Sequence, residues 1–355
     1  MKSTLEKSAV LKLVRAADRR LGKKQKTAFP VRLICNGHAL VLWHNREHGY
    51  AVQIDAETTG ADEIAVTAAP QEILAAIRNY TGKSIDVEPS AISCGPFRRS
   101  LGRLEYVAPP SADDEKEKPT SARIDAAQLA AAIRLAMEAI DQSPQYRYRL
   151  DCVRIEHDAA VATDGRRLIV ADIDTDAGEE FVAMLDYTAA ETLLDCLPKS
   201  GTVTIDATPL RTEIRWEGGQ FWHRVPEGRF PRWRDIVSGT GQRRFYTVLD
   251  AAQLAAGIKT TSSVRTEETR RTSARCDGAT LHLSANTSAG DAAAMIDTKR
   301  DFGNVWEFCA DLELIRKILP KSGAVTIDAG NEPGKSAILI ETDGVSAVII
   351  PMAKL

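Results

Sequence analysis

No stretch of this chain approaches the ~18 consecutive apolar residues that a membrane span requires, which excludes a helical membrane protein. The first twenty residues, MKSTLEKSAVLKLVRAADRR, carry a charge every few positions, so they lack the apolar centre of a secretory signal. A cytoplasmic protein with no membrane partner is expected. Cys35, Cys94, Cys152, Cys196, Cys276 and Cys309 never form a C-x-x-C pair. That spacing argues against a zinc ribbon, a redox motif or a disulfide framework and leaves buried thiols. No Ser-His-Asp arrangement or clustered carboxylate signature stands out. No catalytic residue, metal ligand or cofactor is therefore assigned, and the chain is not expected to be an enzyme.

What is present is the composition of a folded globular protein, 44% hydrophobic and 27% charged. Its 355 residues exceed one ordinary core and suggest two or three domains. The net charge of -3 hides an asymmetry: residues 1–26 stand at +7 and the remainder at -10. A locally basic helix on an acidic protein suits a polyanion held at one surface, although a solvated helix face gives the same count.

The chain also repeats itself. DAAQLAAAI at 125–133 returns as DAAQLAAGI at 250–258, and LPKSGTVTIDA at 197 returns as LPKSGAVTIDA at 319. The paired signals lie 72 residues apart in one copy and 69 in the other. Each DAAQL places Asp at an N-cap ahead of apolar residues at helical spacing: Leu129, Ile133, Met137 and Ile140, then Leu254 and Ile258. A second amphipathic helix is predicted before each Pro-Lys-Ser-Gly break, through Leu193, Leu194 and Leu197, and through Leu312, Ile315, Ile318 and Leu319. Period-two strands follow, with hairpin turns at Gly218-Gly219 and Asp343-Gly344.

A fainter copy runs from EKSAVLKLVRAADRR to APQEILAAIRNYTGKSIDV. Its GKS is no phosphate loop, because Ile77 stands where the leading Gly must be. Each unit reads as α+β, antiparallel hairpins backed by a few helices. The Pro-rich stretch 109–120 and the Gly-rich stretch 238–244 read as linkers, giving domains 1–119, 120–242 and 243–355.

HNREH, residues 44–48, matches the inverted zinc-protease pattern H-x-x-E-H. Its flanks read as strands and Gly49 makes a hairpin turn, where His44 and His48 would not share a helical face. A zinc metalloprotease is thus a remote alternative.

Three segments carry a resemblance: VATDGRRLIV at 161–170, PEGRFPRWRDIV at 226–237 and the ending AVIIPMAKL. In this order, on a repeated chain, they resemble the bacterial DNA polymerase III beta subunit, the sliding clamp. The resemblance is strong from about residue 120 onward and otherwise one of layout. It implies three similar clamp domains per chain (the DNA clamp fold), antiparallel sheets outside and helices lining a central pore, closed as a head-to-tail homodimer ring around double-stranded DNA.

By that resemblance, a sequence-independent DNA interface would use Lys12, Arg15, Lys23, Lys24, Arg78, Arg134, Lys199 and Lys321. Tyr148 and Arg149 match a family loop that touches DNA, a ring for stacking beside a fork for phosphate. The family also has a pocket that receives a short Gln-and-apolar peptide of DNA polymerase and clamp-loader subunits. Here its walls would be Leu150, Thr163, Gly165, Arg166, Arg167, Leu168, Pro231, Ile236, Val348, Ile350, Pro351 and Met352. Burying two large side chains at roughly 1.5 to 3 kcal/mol each suits an exchangeable, roughly micromolar contact. The alternative is that Leu168, Ile236 and Met352 are ordinary core.

The chain departs from the family at four places. Arg166 replaces the usual His, Arg232-Trp233 replaces Asp-Tyr, and Ala353-Lys354 lengthens the tail by one residue. TTSSVRTEETRR at 260–271 is polar where the family places apolar dimer contacts. Either Val264 with charge pairs from Arg265, Glu267, Glu268, Arg270 and Arg271 closes the ring, or the ring is weak. A clamp-like adaptor that binds partners without encircling DNA is the alternative.

Overall fold

The computed structural model describes residues 2–19, 28–59, 63–78, 80–102, 104–106, 118–142, 148–240, 244–266, 269–299 and 305–352, with backbone alone at 58 and 59. The first third holds β1 (Lys2–Glu6), α1 (Lys7–Arg19), β2 (Val31–Asn36), β3 (His38–His44) and β4 (His48–Thr59). It continues with β5 (Ile64–Ala68), α2 (Pro70–Ile77), β6 (Ser84–Glu88), β7 (Ala91–Cys94) and β8 (Phe97–Ser100). The middle third runs β9 (Thr120–Asp125), α3 (Ala126–Met137), β10 (Cys152–Glu156), β11 (Ala159–Thr163) and β12 (Arg167–Asp172). Next come β13 (Val182–Asp186), α4 (Tyr187–Cys196), β14 (Thr202–Ala207), β15 (Arg211–Trp216), β16 (Gly219–Arg224) and the short α5 (Trp233–Ser238). The last third has β17 (Tyr246–Asp250), α6 (Ala251–Ser262), β18 (Thr272–Cys276), β19 (Thr280–Thr287) and β20 (Gly290–Asp297). It ends with β21 (Trp306–Ala310), α7 (Glu313–Arg316), β22 (Ala324–Asp328), β23 (Ile338–Thr342) and β24 (Val345–Ile349). One order, β-α-β-β-β-β-α-β-β-β, is thus written three times, with α5 added once.

The repeated words are bonded to each other. Asp125 accepts from Ala127 N (2.9 Å) and Gln128 N (3.0 Å), and Asp250 from Ala252 N (3.0 Å) and Gln253 N (3.1 Å). Each cap satisfies N–H groups that a helix start otherwise leaves open. The next open group, Ala126 N, donates to the carbonyl of Gly201, and Ala251 N donates to that of Gly323. Both glycines belong to the Lys-Ser-Gly break and hold φ of 102° and 115°, a conformation that disfavours any Cβ. Lys7 N donates likewise to Lys83 O in the first copy. The strand ahead of each helix therefore runs antiparallel to the strand after each break: β9 with β14, β17 with β22, β1 with β6.

Two compact units result, one of residues 1–130 with 175–227 and one of 131–174 with 228–355. In the first, one antiparallel sheet follows β8-β7-β6-β1-β4-β16-β15-β14-β9, and β5-β2-β3 joins it at β4. Helix α1 buries Val10, Leu13, Val14, Ala16 and Ala17 and packs against α2 and α4. In the second, β10-β11-β12-β24-β23-β22-β17 form one ladder and β20-β19-β18-β21 another, with α6 packed on β19 and β20. All six cysteines are buried free thiols.

Two local expectations change. The helix before the second break is one turn, Glu313–Arg316, because Leu314, Ile315 and Ile318 donate to carbonyls three residues back. Arg265, expected to serve a second chain, is tied within its own chain to Asp311 Oδ2 at 2.8 Å. Glu267 and Glu268 lie outside the described residues.

Candidate functional site

The site grows from two turns in the second unit. The first joins β11 to β12 through residues 164–166. Asp164 Oδ1 accepts from Arg166 N and Arg167 N, both at 2.9 Å, and Oδ2 accepts from Arg167 Nε at 3.1 Å. Thr163 Oγ1 donates to Arg167 O (2.6 Å) and accepts from Gly165 N (3.1 Å), while Gly165 takes φ 80°. The sequence Thr-Asp-Gly thus satisfies its own backbone, as short polar side chains do in turns. Arg167 Nη1 donates to Leu314 O at 2.7 Å, fixing the turn to the segment after β21. Past the β12–β24 ladder, Ile350 N donates to Arg166 O at 2.9 Å and Met352 N to Cys309 O at 2.6 Å.

The second turn is 228–232, ahead of α5. A parallel bridge joins Tyr148 to Arg229, and Arg149 N donates to Arg229 O at 2.9 Å. Behind it, buried Glu156 accepts from the Trp233 indole (3.1 Å), from Arg234 Nη2 (2.7 Å) and from Arg154 Nε (2.5 Å). Arg234 also reaches Asp158. Burial pushes the Glu156 carboxyl up, but the hydrogen bonds from Arg154, Trp233 and Arg234 outweigh it and hold the pKa below the ordinary carboxylate value. Asp158 is lowered too, burial again being outweighed by Arg234.

Between the turns lies a cavity of about 860 Å³, lined by Tyr148, Leu150, Gly165, Gly228, Arg229, Phe230, Pro231 and Arg232. Of the expected pocket residues, Leu150, Gly165 and Pro231 line it. Thr163 and Arg167 build its turn, and Arg166 stands exposed on that turn. Leu168 and Val348 are cross-strand partners, each 2% exposed, and belong to the core. Ile236, Ile350 and Met352 are exposed apolar side chains, and Pro351 is half-buried. Gly228, Arg229 and Phe230 were not expected there, although the Gly-Arg-Phe-Pro segment carried the signal. Tyr148, expected at DNA, lines the cavity, and Arg149 is paired with Asp151 Oδ2 at 2.6 Å.

Lys12 and Arg15 are exposed on α1, Arg78 caps the C-terminus of α2, and Arg134 is exposed on α3. Lys199 and Lys321, exposed, occupy equivalent places in the two Lys-Ser-Gly breaks. Lys23 and Lys24 lie outside the described residues.

HNREH is a hairpin. His44 pairs with Gly49 across β3 and β4, so His44 and His48 point to opposite faces. His44 meets Tyr106 and Trp222, whereas His48 is buried against Trp43 and Phe221. This geometry cannot hold one metal between the two rings. Among the described residues no group of three or more His, Cys, Asp or Glu is arranged to hold a metal. No helix among them is long and apolar enough to cross a membrane.

In fold the chain is similar to solved DNA polymerase III beta subunits. The beta subunit of Thermotoga maritima agrees at a TM-score of 0.82 with 16% identity, covering 100% of both chains. A DNA polymerase sliding clamp from Pseudomonas aeruginosa, solved with ligand, agrees at 0.82 with 17% identity over 100% of both. A DNA polymerase III beta subunit from Bartonella birtlesii bound to griselimycin agrees at 0.81 with 16% identity, again over 100% of both. No protein-family model matches the chain, and no curated protein matches it in sequence. The chain therefore has the α+β sliding-clamp fold, and the likeness at this identity is one of fold.

Proposed function

We propose that this chain is a DNA sliding clamp, a non-catalytic processivity factor of the cytoplasm. It closes as a head-to-tail homodimer around duplex DNA and tethers DNA polymerase and clamp-loader subunits through the cavity beside Gly165 and Pro231. The carrying observation is the agreement in fold with DNA polymerase III beta subunits over 100% of both chains.

The threefold element order supports division into domains 1–119, 120–242 and 243–355. Strand pairing supports closure. Where one third meets the next, the fourth strand of the earlier third pairs with the last strand of the later one: β4 with β16, and β12 with β24. By that rule β20 of the last third lacks a successor and β8 of the first lacks a predecessor. Both end their sheets. Two copies supply each other's missing partner, which makes the contact heterologous and the assembly a closed ring.

Exposed basic side chains at Lys12, Arg15, Arg78, Arg134, Lys199 and Lys321 support a sequence-blind attraction to phosphate. Lys23 and Lys24, outside the described residues, join them on sequence alone. Such contacts are weak and salt-sensitive, so topology has to supply retention. The apolar cavity supports an exchangeable peptide contact, with the exposed Ile350 and Met352 in the segment after β24, where Ile350 N donates to Arg166 O on the first turn.

The test threads the chain over the free end of a bead-tethered duplex, blocks that end with a bulky protein, and washes at 0.5 M salt. Retention on blocked duplex, released by cutting it, is the expected result. Equal retention on blocked and open duplex rejects encirclement. Retention on neither, with peptide binding intact, favours the adaptor reading, to which the polar stretch 260–271 inclines.

A further inference from the structure

The geometry points to a partner segment that is acidic as well as apolar, selected by Arg166, Arg229 and Arg232. This rests on the reading of the cavity as a peptide pocket and adds the chemistry of its occupant.

Every carboxylate that builds the two turns is already engaged by a guanidinium. Asp151 holds Arg149, Glu156 holds Arg154 and Arg234, Asp158 holds Arg234, and Asp164 holds Arg167. Three guanidiniums are left over. Arg229 and Arg232 line the cavity, Arg166 follows its Gly165 wall, and all three are exposed. Among the described residues none of the three makes an ion pair. The nearest further acids in sequence, Glu227 ahead of the second turn and Asp235 on α5, are exposed and do not line the cavity.

An apolar hollow with surplus fixed positive charge at its rim is complemented by a ligand that puts a hydrophobic side chain in the hollow and carboxylates at the edge. Leu150, Phe230 and Pro231 provide the apolar wall. A single-stranded nucleic acid would use the same charges, but it binds by stacking on exposed aromatic faces. Tyr148, 44% exposed, is the only aromatic lining residue that offers one, since Phe230 is 9% exposed. The concave apolar wall favours a peptide.

Rim charges act mainly on selectivity and in a salt-dependent way. Each charge pair adds a small increment, and two or three together reach roughly tenfold in affinity.

The test is fluorescence anisotropy with the full chain and two labelled nine-residue peptides. One has Leu-Phe at its centre with two Glu on each side, and the other has Gln in place of every Glu. The acidic peptide is expected to bind about tenfold tighter at 50 mM salt, with the advantage shrinking towards twofold at 0.5 M. Arg229→Gln combined with Arg232→Gln, with Arg166 still in place, should reduce the ratio between the two peptides to about threefold or less. Circular dichroism verifies that this exposed pair of changes leaves the fold intact. Leu150→Ala should weaken both peptides.

Equal binding of the two peptides, both weakened by Leu150→Ala, overturns the acid preference and leaves the pocket. Binding of neither peptide, or insensitivity of both to Leu150→Ala, overturns the pocket reading and the preference with it. An oligothymidine that competes for the cavity and binds tighter than the acidic peptide overturns the preference in favour of nucleic acid.

Discussion

At the scale of single residues, Glu156 does most to hold the candidate site in shape. One buried carboxylate receives the Trp233 indole and two guanidiniums, and these fix the wall formed by Phe230 and Pro231. Arg154 also lies over the Phe230 ring at 5.9 Å, and Arg234 over that of Trp233 at 4.3 Å. Glu156→Gln leaves these donors facing a neutral amide. Arg234 is half in solvent, so its share is screened, and the loss comes chiefly from the buried bonds at about 2 kcal/mol. Thermal unfolding should register that loss, and peptide affinity should fall with it. The pH dependence has a definite sign. Because the folded pKa lies below the ordinary value of 4.5, the stabilisation is complete above about pH 5 and disappears as pH falls through the folded value. The gap between wild type and Glu156→Gln should therefore be flat from pH 8 to 5 and narrow below it. A gap that widens on acidification would contradict this account.

At the scale of elements, the two nearly identical helix words differ where packing demands it. Ala132 of α3 is replaced in α6 by Gly257, and a Cβ built there would stand 2.9 Å from Ile296 Cδ1, 3.2 Å from Leu283 Cδ1 and 3.4 Å from Ala294 Cβ. Both close atoms are ends of flexible side chains on β19 and β20. Gly257→Ala should thus gain up to about 1 kcal/mol of helix propensity, spend most of it on repacking, and lie within about 1 kcal/mol of wild type. Gly257→Val, which cannot be absorbed so, should cost roughly 2 kcal/mol, and denaturant midpoints for the pair decide the matter. The same elements show what was legible beforehand. Helix starts and breaks were readable because Asp caps and Lys-Ser-Gly turns act within a few residues. The strands before each helix were not, since β9 and β17 are only six and five residues long and find their partners more than 70 positions away. Likewise, Thr-Asp-Gly marked the first turn of the site, but Arg229 reaches the cavity through a backbone bridge to Tyr148 that no local pattern encodes.

At the scale of the whole molecule, the open question is how firmly two copies would close. Strand β8 offers four exposed residues, with Phe97 65% exposed, and β20 offers Met295 at 72%. Bare edges of this kind invite pairing unless they are blunted. Their charges are complementary, Arg98 and Arg99 on one edge and Asp291 and Asp297 on the other, although Arg98 already holds Glu88 at 2.8 Å. A seam of four residues with two apolar side chains buries little area, so the proposed dimer should dissociate measurably on dilution rather than persist as an obligate pair. Because part of the attraction is ionic and lies at the surface, raising salt from 0.1 to 0.5 M should favour the monomer. Phe97→Asp places a carboxylate beside the acidic edge and should raise the dissociation constant at least about tenfold, as should Met295→Lys, which sets a cation opposite Arg98 and Arg99. Analytical ultracentrifugation across chain concentration reads all three effects. If both variants self-associate like wild type, the two free edges are not the closing seam. If wild type stays monomeric at every concentration, retention on blocked duplex must fail as well, which ties the two experiments to one geometry.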